Sequence, residues 1–228
     1  MRKITLLFAM LPLILGAQMQ EGMLWTEIGV SGRVIKNLDW GAEVTTRFGS
    51  NGLSTIFPQA SLKYKVNKFL RFSCDYRYIY DKQLTGYYTN SHRVNFNLDG
   101  KYQIDRFYFK ARARYQYSFD RLSSSEFYEP EFDRALRGKL EVKYDVNNFI
   151  LSPIINAEMF YNPKFGEFGR QINKMRIFGG FELDLKSDHE VSFGYIYDTR
   201  INLPNPRTRH IVSLSYGYTI KKKKKKEK

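Results

Sequence analysis

The stretch Arg106 to Phe119, RFYFKARARYQYSF, sets ring or small apolar side chains against charged or polar ones in strict alternation. Successive side chains of a strand point to opposite faces. Phe107, Phe109, Ala111, Ala113, Tyr115, Tyr117 and Phe119 therefore share one face, and Lys110, Arg112, Arg114, Gln116 and Ser118 share the other. Few soluble sheets carry that contrast over so long a strand.

The same period recurs at about 24–35, 38–48, 55–66, 69–80, 90–102, 133–145, 149–161, 172–185, 189–200 and 208–220, which predicts an all-β chain of eleven segments and no helix. Short gaps at Lys36-Asn37, Asn67-Lys68, Gln103 to Asp105, Val146 to Asn148 and Lys186 to Asp188 alternate with longer ones beginning near Gly49, Asp81, Asp120, Asn162 and Ile201. Short turns at one end and longer loops at the other are the layout of an antiparallel transmembrane β-barrel in an outer membrane. Strands of about 11 to 14 residues exceed the globular norm and suit a tilted crossing of lipid.

Alternation alone leaves open which face is inside. A barrel of this size encloses more volume than one inward row of side chains readily fills. Tyrosines also gather at strand ends: Tyr76, Tyr78, Tyr80, Tyr195 and Tyr197 towards the loops, and Tyr64, Tyr102, Tyr144, Tyr216 and Tyr218 towards the turns. Two aromatic girdles belong at two lipid interfaces, so the rings are expected outside and the charges in the lumen. The ring-rich closing strand HIVSLSYGYTI suits delivery to the barrel-assembly machinery. Eleven strands would close the barrel with a parallel pair, which bacterial barrels seldom use. The expected count is accordingly ten to twelve, with twelve preferred and the extra strand sought at Gln18 to Met23 or within 120–132.

Arg2 and Lys3, the apolar run Ile4 to Leu15 and the small pair Gly16-Ala17 read as a signal peptide over 1–17, followed by a barrel domain over 18–220 and a lysine-rich tail over 221–228. The apolar run is too short to span a bilayer as a helix. One cysteine, Cys74, offers no intramolecular disulfide, and its position between Phe72 and Tyr76 places it on the ring face. Of the formal charge of +14, the leader and the tail KKKKKKEK carry all but +6. The remaining charges are interleaved with rings rather than clustered, so no nucleic-acid partner is expected.

The chain also resembles an uncharacterised family of Gram-negative outer-membrane β-barrel proteins grouped as a domain of unknown function. The likeness lies in Leu24-Trp25-Thr26-Glu27, DYRYIY at 75–80, HRVNFNL at 92–98, FKARARYQY at 109–117, LRGKLEVKY at 136–144, NAEMFYN at 156–162, GYIYD at 194–198 and HIVSLSYGY at 210–218. The resemblance implies a barrel and a bacterial outer-membrane location. It brings no activity or catalytic residues, and it does not reach the lysine tail.

The lumen-facing charges are the functional lead. Arg71, Arg77, Arg93, Arg112, Arg114 and Arg137, on adjacent strands, form a basic ladder that could pass anions. Asp75, Asp99, Glu141, Glu158 and Glu182 face the same way and could pair with it, since charges in a narrow barrel need partners and meet neighbours about 5 Å away. The ion-paired plug, with a structural or interaction role, is the preferred reading. A small anion-biased channel or transporter and a secreted periplasmic binding calyx are the alternatives. Enzyme chemistry is not expected: His92, His189 and His210 are scattered, and His210 and Ser213 should face opposite ways. No metal-ligand spacing or nucleotide-binding glycine pattern occurs, so no cofactor is expected. The expected partners are outer-membrane lipids, the assembly machinery, an anionic solute for the lumen and an acidic periplasmic partner or lipid headgroups for the tail. Ser123, Ser124, Ser125, Glu126, Phe127, Tyr128 and Glu129 in the longest loop are a candidate external contact.

Overall fold

The structure, a computed structural model, describes residues 19–82, 86–119, 133–167, 169–183, 185, 188–204 and 206–221. The expected signal peptide, the candidate loop contact at 123–129 and the tail beyond Lys221 lie outside the described residues.

Eleven strands close into one barrel: β1 (Met19–Ile35), β2 (Leu38–Gly49), β3 (Gly52–Lys65), β4 (Leu70–Lys82), β5 (Tyr88–Ile104), β6 (Phe107–Phe119), β7 (Arg134–Tyr144), β8 (Leu151–Asn162), β9 (Gln171–Leu183), β10 (His189–Arg200) and β11 (Arg207–Ile220). Each strand is antiparallel to its chain neighbours. The preference for twelve strands is corrected: among the described residues there are eleven, and β11 meets β1 in a parallel seam running from Met19 opposite Arg207 to Gly32 opposite Ile220. Met19 to Met23 do not make a separate strand; they lengthen β1, and that extension gives the seam its reach. A parallel pair is slightly weaker per residue than an antiparallel one, and side chains reinforce this one. Glu21 binds Arg207 at 3.2 Å and Arg209 at 3.1 Å, and Ser31 meets Thr219 at 3.1 Å.

Local chemistry explains the hairpins. Asn37, Asp105 and Asn148 take left-handed backbone at φ 68°, 49° and 56°, a conformation that short polar side chains tolerate. In the turn between β3 and β4, Asn67 Oδ1 accepts from the Phe69 and Leu70 amides at 2.8 Å each. One loop departs from expectation: at Gly49 the chain turns through Ser50-Asn51 alone, with Gly49 opposite Gly52. Gly52 at φ 85° makes that tight return possible.

The burial pattern is inverted relative to a soluble protein. On β6, Phe109, Ala111, Ala113 and Tyr115 are exposed, Arg112 and Arg114 are half-buried, and Gln116 and Ser118 are buried. Asn95, Asn97, Gln116, Asn173 and Asp198 are among the most deeply enclosed side chains, whereas Ile28, Leu62, Leu98, Leu140, Ile155 and Val212 stand on the outside. The girdle residues Tyr64, Tyr76, Tyr80, Tyr102, Tyr195, Tyr197, Tyr216 and Tyr218 are exposed as well. No helix among the described residues is long and apolar enough to cross a membrane, and the strands supply the apolar exterior instead.

The lumen has two unlike walls. On β10, β11, β1 and β2 many of the inward positions are small, among them Ser192, Gly194, Ser215, Gly217, Gly29 and Gly41, with Trp25, Arg47 and Arg209 as large exceptions towards the loops, while β4 to β9 send in most of the long cations. Long side chains on one wall thus take up the space that short ones leave on the other. Gly194 lies opposite Gly180, with the Phe178 ring against both, so a Cβ at either would strike the ring and the neighbouring backbone.

Candidate functional site

Register decides which charges can meet. Towards the turn end, Arg112 pairs with Asp99 at 2.5 Å, Lys110 and Lys139 with Glu141 at 3.1 and 2.8 Å, and Lys143 with Glu182 at 2.7 Å. At mid-height, Glu158 takes both Nε and Nη2 of Arg137, at 3.0 and 2.9 Å, and lies 3.6 Å from Arg176. Arg176 in turn binds Asp198 at 2.5 Å. Asp75 accepts from Asn97 Nδ2 at 2.8 Å and lies 3.4 Å from Arg114, whose Nε donates to Asn97 Oδ1. Arg114 therefore reaches from β6 to β4 through the amide on β5. Planar guanidiniums bonded edge-on to carboxylates make this a stiff layer of strong, charge-assisted bonds.

Towards the loop end the partners change. A cavity of about 210 Å³ opens there, walled by Arg47, Arg77, Arg93, Arg114, Arg137, Lys174, Arg176 and Arg209, with Glu27 and Asp81 as its acids. Arg77 donates through Nε and Nη2 to Gln59 Oε1 at 2.8 and 2.5 Å, and Arg93 Nε donates to Ser118 Oγ at 3.0 Å. Arg77 also stands directly across from Arg93, and Arg114 from Arg137. Five apolar side chains line it: Met23, Trp25, Phe57, Ile79 and Phe160. The Arg47 guanidinium lies 4.1 Å from the Trp25 ring centre and 4.8 Å from that of Phe57, Arg77 is 4.1 Å from Phe57, and Arg137 is 4.3 Å from Phe160.

Of the expected ladder, Arg77, Arg93, Arg114 and Arg137 come together around this cavity. Arg112 lies nearer the turns, on Asp99, and Arg71 sits at the turn end opposite Lys65 and Asp99, away from the cavity. Each of Asp75, Asp99, Glu141, Glu158 and Glu182 is placed against a cation. The ladder omitted Arg47, Lys174, Arg176 and Arg209, and Glu21 was not foreseen at all. The signal for Arg209 was its parity with Ser213 and Ser215, which point inward.

The histidines sit elsewhere. His92 Nδ1 meets Tyr76 Oη at 2.6 Å, His189 Nδ1 meets Tyr216 Oη at 2.7 Å, and His210 pairs with Tyr195. All three belong to outward-facing ring clusters at the girdles, and His210 and Ser213 occupy opposite faces. Among the described residues no group of three His, Cys, Asp or Glu side chains is arranged to hold a metal ion. Cys74 is a free thiol on the outer face.

No curated protein and no solved structure matches the chain. A family profile described as "Protein of unknown function (DUF2490)" matches residues 22–209, from the seam strand through the cavity to Arg209. That span covers most of the chain, with β2 to β10 whole, most of β1 and the first three residues of β11, so this closed eleven-stranded barrel belongs to the DUF2490 family.

Proposed function

We propose that the chain is exported with residues 1–17 as a cleaved leader, is inserted into the outer membrane of a Gram-negative bacterium by the barrel-assembly machinery, and serves there as a non-enzymatic structural or interaction barrel whose lumen is held shut at mid-height by ion pairs. The observation that carries this reading is the inverted burial: an apolar, tyrosine-edged exterior around a lumen of paired charges. Lipid favours that exterior, and closure leaves no strand edge unpaired in hydrocarbon. The same exterior argues against a soluble calyx. Lys221, paired with Asp188 at the turn end, starts the basic tail in the compartment where anionic headgroups or an acidic partner would meet it.

Membrane fractionation with heat-modifiable gel migration tests the location; recovery in the soluble periplasm would sink it. Planar-bilayer recording tests the closed lumen, with no unitary steps expected. A second reading, an anion-biased passage, draws support from the cation excess around the loop-end cavity. Steps with anion selectivity would establish it in place of the first.

A further inference from the structure

The loop-end cavity combines features that the ion-paired layer beneath it lacks. Burying a guanidinium without a counter-charge is costly, and like charges directly opposite on neighbouring strands destabilise the pair. Yet Arg47 and Arg77 have no carboxylate at ion-pairing distance among the described residues. Arg47 Nε is buried with no hydrogen-bond partner, and Arg77 donates only to the neutral Gln59. Both guanidiniums instead share the ring of Phe57, and Arg47 also covers Trp25. A cation–π contact uses the face of the guanidinium. It fixes the group in place while leaving N–H donors at its edge for an oxyanion.

We propose that this cavity binds a small organic anion, its carboxylate or phosphate head held by Arg47 and Arg77 and its apolar body set against Trp25, Phe57 and Phe160. The bound head supplies an oxyanion at ion-pairing distance, which Glu27 and Asp81 in the same lining do not give the two arginines, and charge-assisted bonds from two positioned guanidiniums are strong. The inward rings supply a surface that an inorganic anion would not use. A cavity of about 210 Å³ falls below the ~300–1,000 Å³ of drug-sized sites, so the ligand is compact. This inference goes beyond the proposed role and does not rest on a closed lumen, because a conducting barrel could hold the same anion at its mouth.

The test is calorimetric titration of the full barrel, refolded in neutral detergent at low ionic strength, with four probes: benzoate, phenyl phosphate, inorganic phosphate and the neutral benzamide. Binding of benzoate or phenyl phosphate is expected, and the tighter of the two identifies the head group. Inorganic phosphate should bind at least about tenfold more weakly than the better organic anion, and benzamide more weakly still. R47M and R77M should each weaken the organic anion by about tenfold or more. K110M, remote from the cavity, should leave it within about twofold of the unaltered barrel. Should R47M fail to refold, R47K keeps the charge but loses the planar fork and should bind at intermediate strength. No binding of either organic anion, benzamide binding as well as benzoate, inorganic phosphate binding as well as phenyl phosphate, or unchanged affinity in R47M and R77M would each overturn the proposal.

Discussion

The two halves of the lumen use the same residue type in different company. At mid-height, Arg114, Arg137 and Arg176 each have a carboxylate in reach. Nearer the loops, Arg47 and Arg77 have rings and an amide instead. Removing a partner from the first set strands a charge that folding had already compensated. Removing an arginine from the second relieves a charge that has no carboxylate at ion-pairing distance among the described residues. Structure and binding are thereby divided along the barrel axis: the paired layer maintains the cross-section, and the unpaired one is available for chemistry.

The sharpest way to break that contrast is Glu158→Gln. Glu158 serves Arg137 in a bidentate pair and Arg176 at 3.6 Å, so its neutralisation should cost about 3–5 kcal/mol, the range for breaking a buried pair from one side. Urea unfolding of the barrel in lipid vesicles, followed by tryptophan fluorescence, measures it; a loss below about 1 kcal/mol would mean that water already compensates the layer. Glu21→Gln should come next, at about 1–3 kcal/mol, because two seam arginines lose one shared carboxylate together. Its effect should appear as early opening between β1 and β11, read by hydrogen exchange at Trp25 to Ile28.

Alternation made the strands and faces of this barrel legible, because period 2 is a property of each strand alone. The exposed Phe109 and Tyr115 beside the inward Arg112 and Arg114 follow from it directly. Closure is not a property of any one strand, which is why the parity conflict at the seam pointed to a twelfth strand rather than to a parallel join. The inward rings were readable but missed: Trp25 is in phase with Glu27, Phe57 with Gln59, and Phe160 with Glu158, so their parity already placed them with the charges. Which carboxylate each arginine takes was beyond reach. Arg114 skips a strand to find Asp75 and Lys143 skips one to find Glu182, choices set by tilt and register.

Two smaller effects refine the comparison from its weak side. The pair between Lys110 and Glu141 is half-exposed on the lysine side, so Lys110→Met should cost about 0.2–1 kcal/mol, and the difference should shrink as salt screens it. Arg77→Met should shift stability least, by no more than about 0.5 kcal/mol, and towards greater stability. Methionine keeps a contact with Phe57, while loss of the charge removes the repulsion across the strand pair from Arg93. The same unfolding measurement, run beside Glu158→Gln, supplies the test. If Arg77→Met destabilised the barrel as much as Glu158→Gln, Arg77 would belong to the compensated layer, and the division between a structural half and a binding half would fail at its boundary.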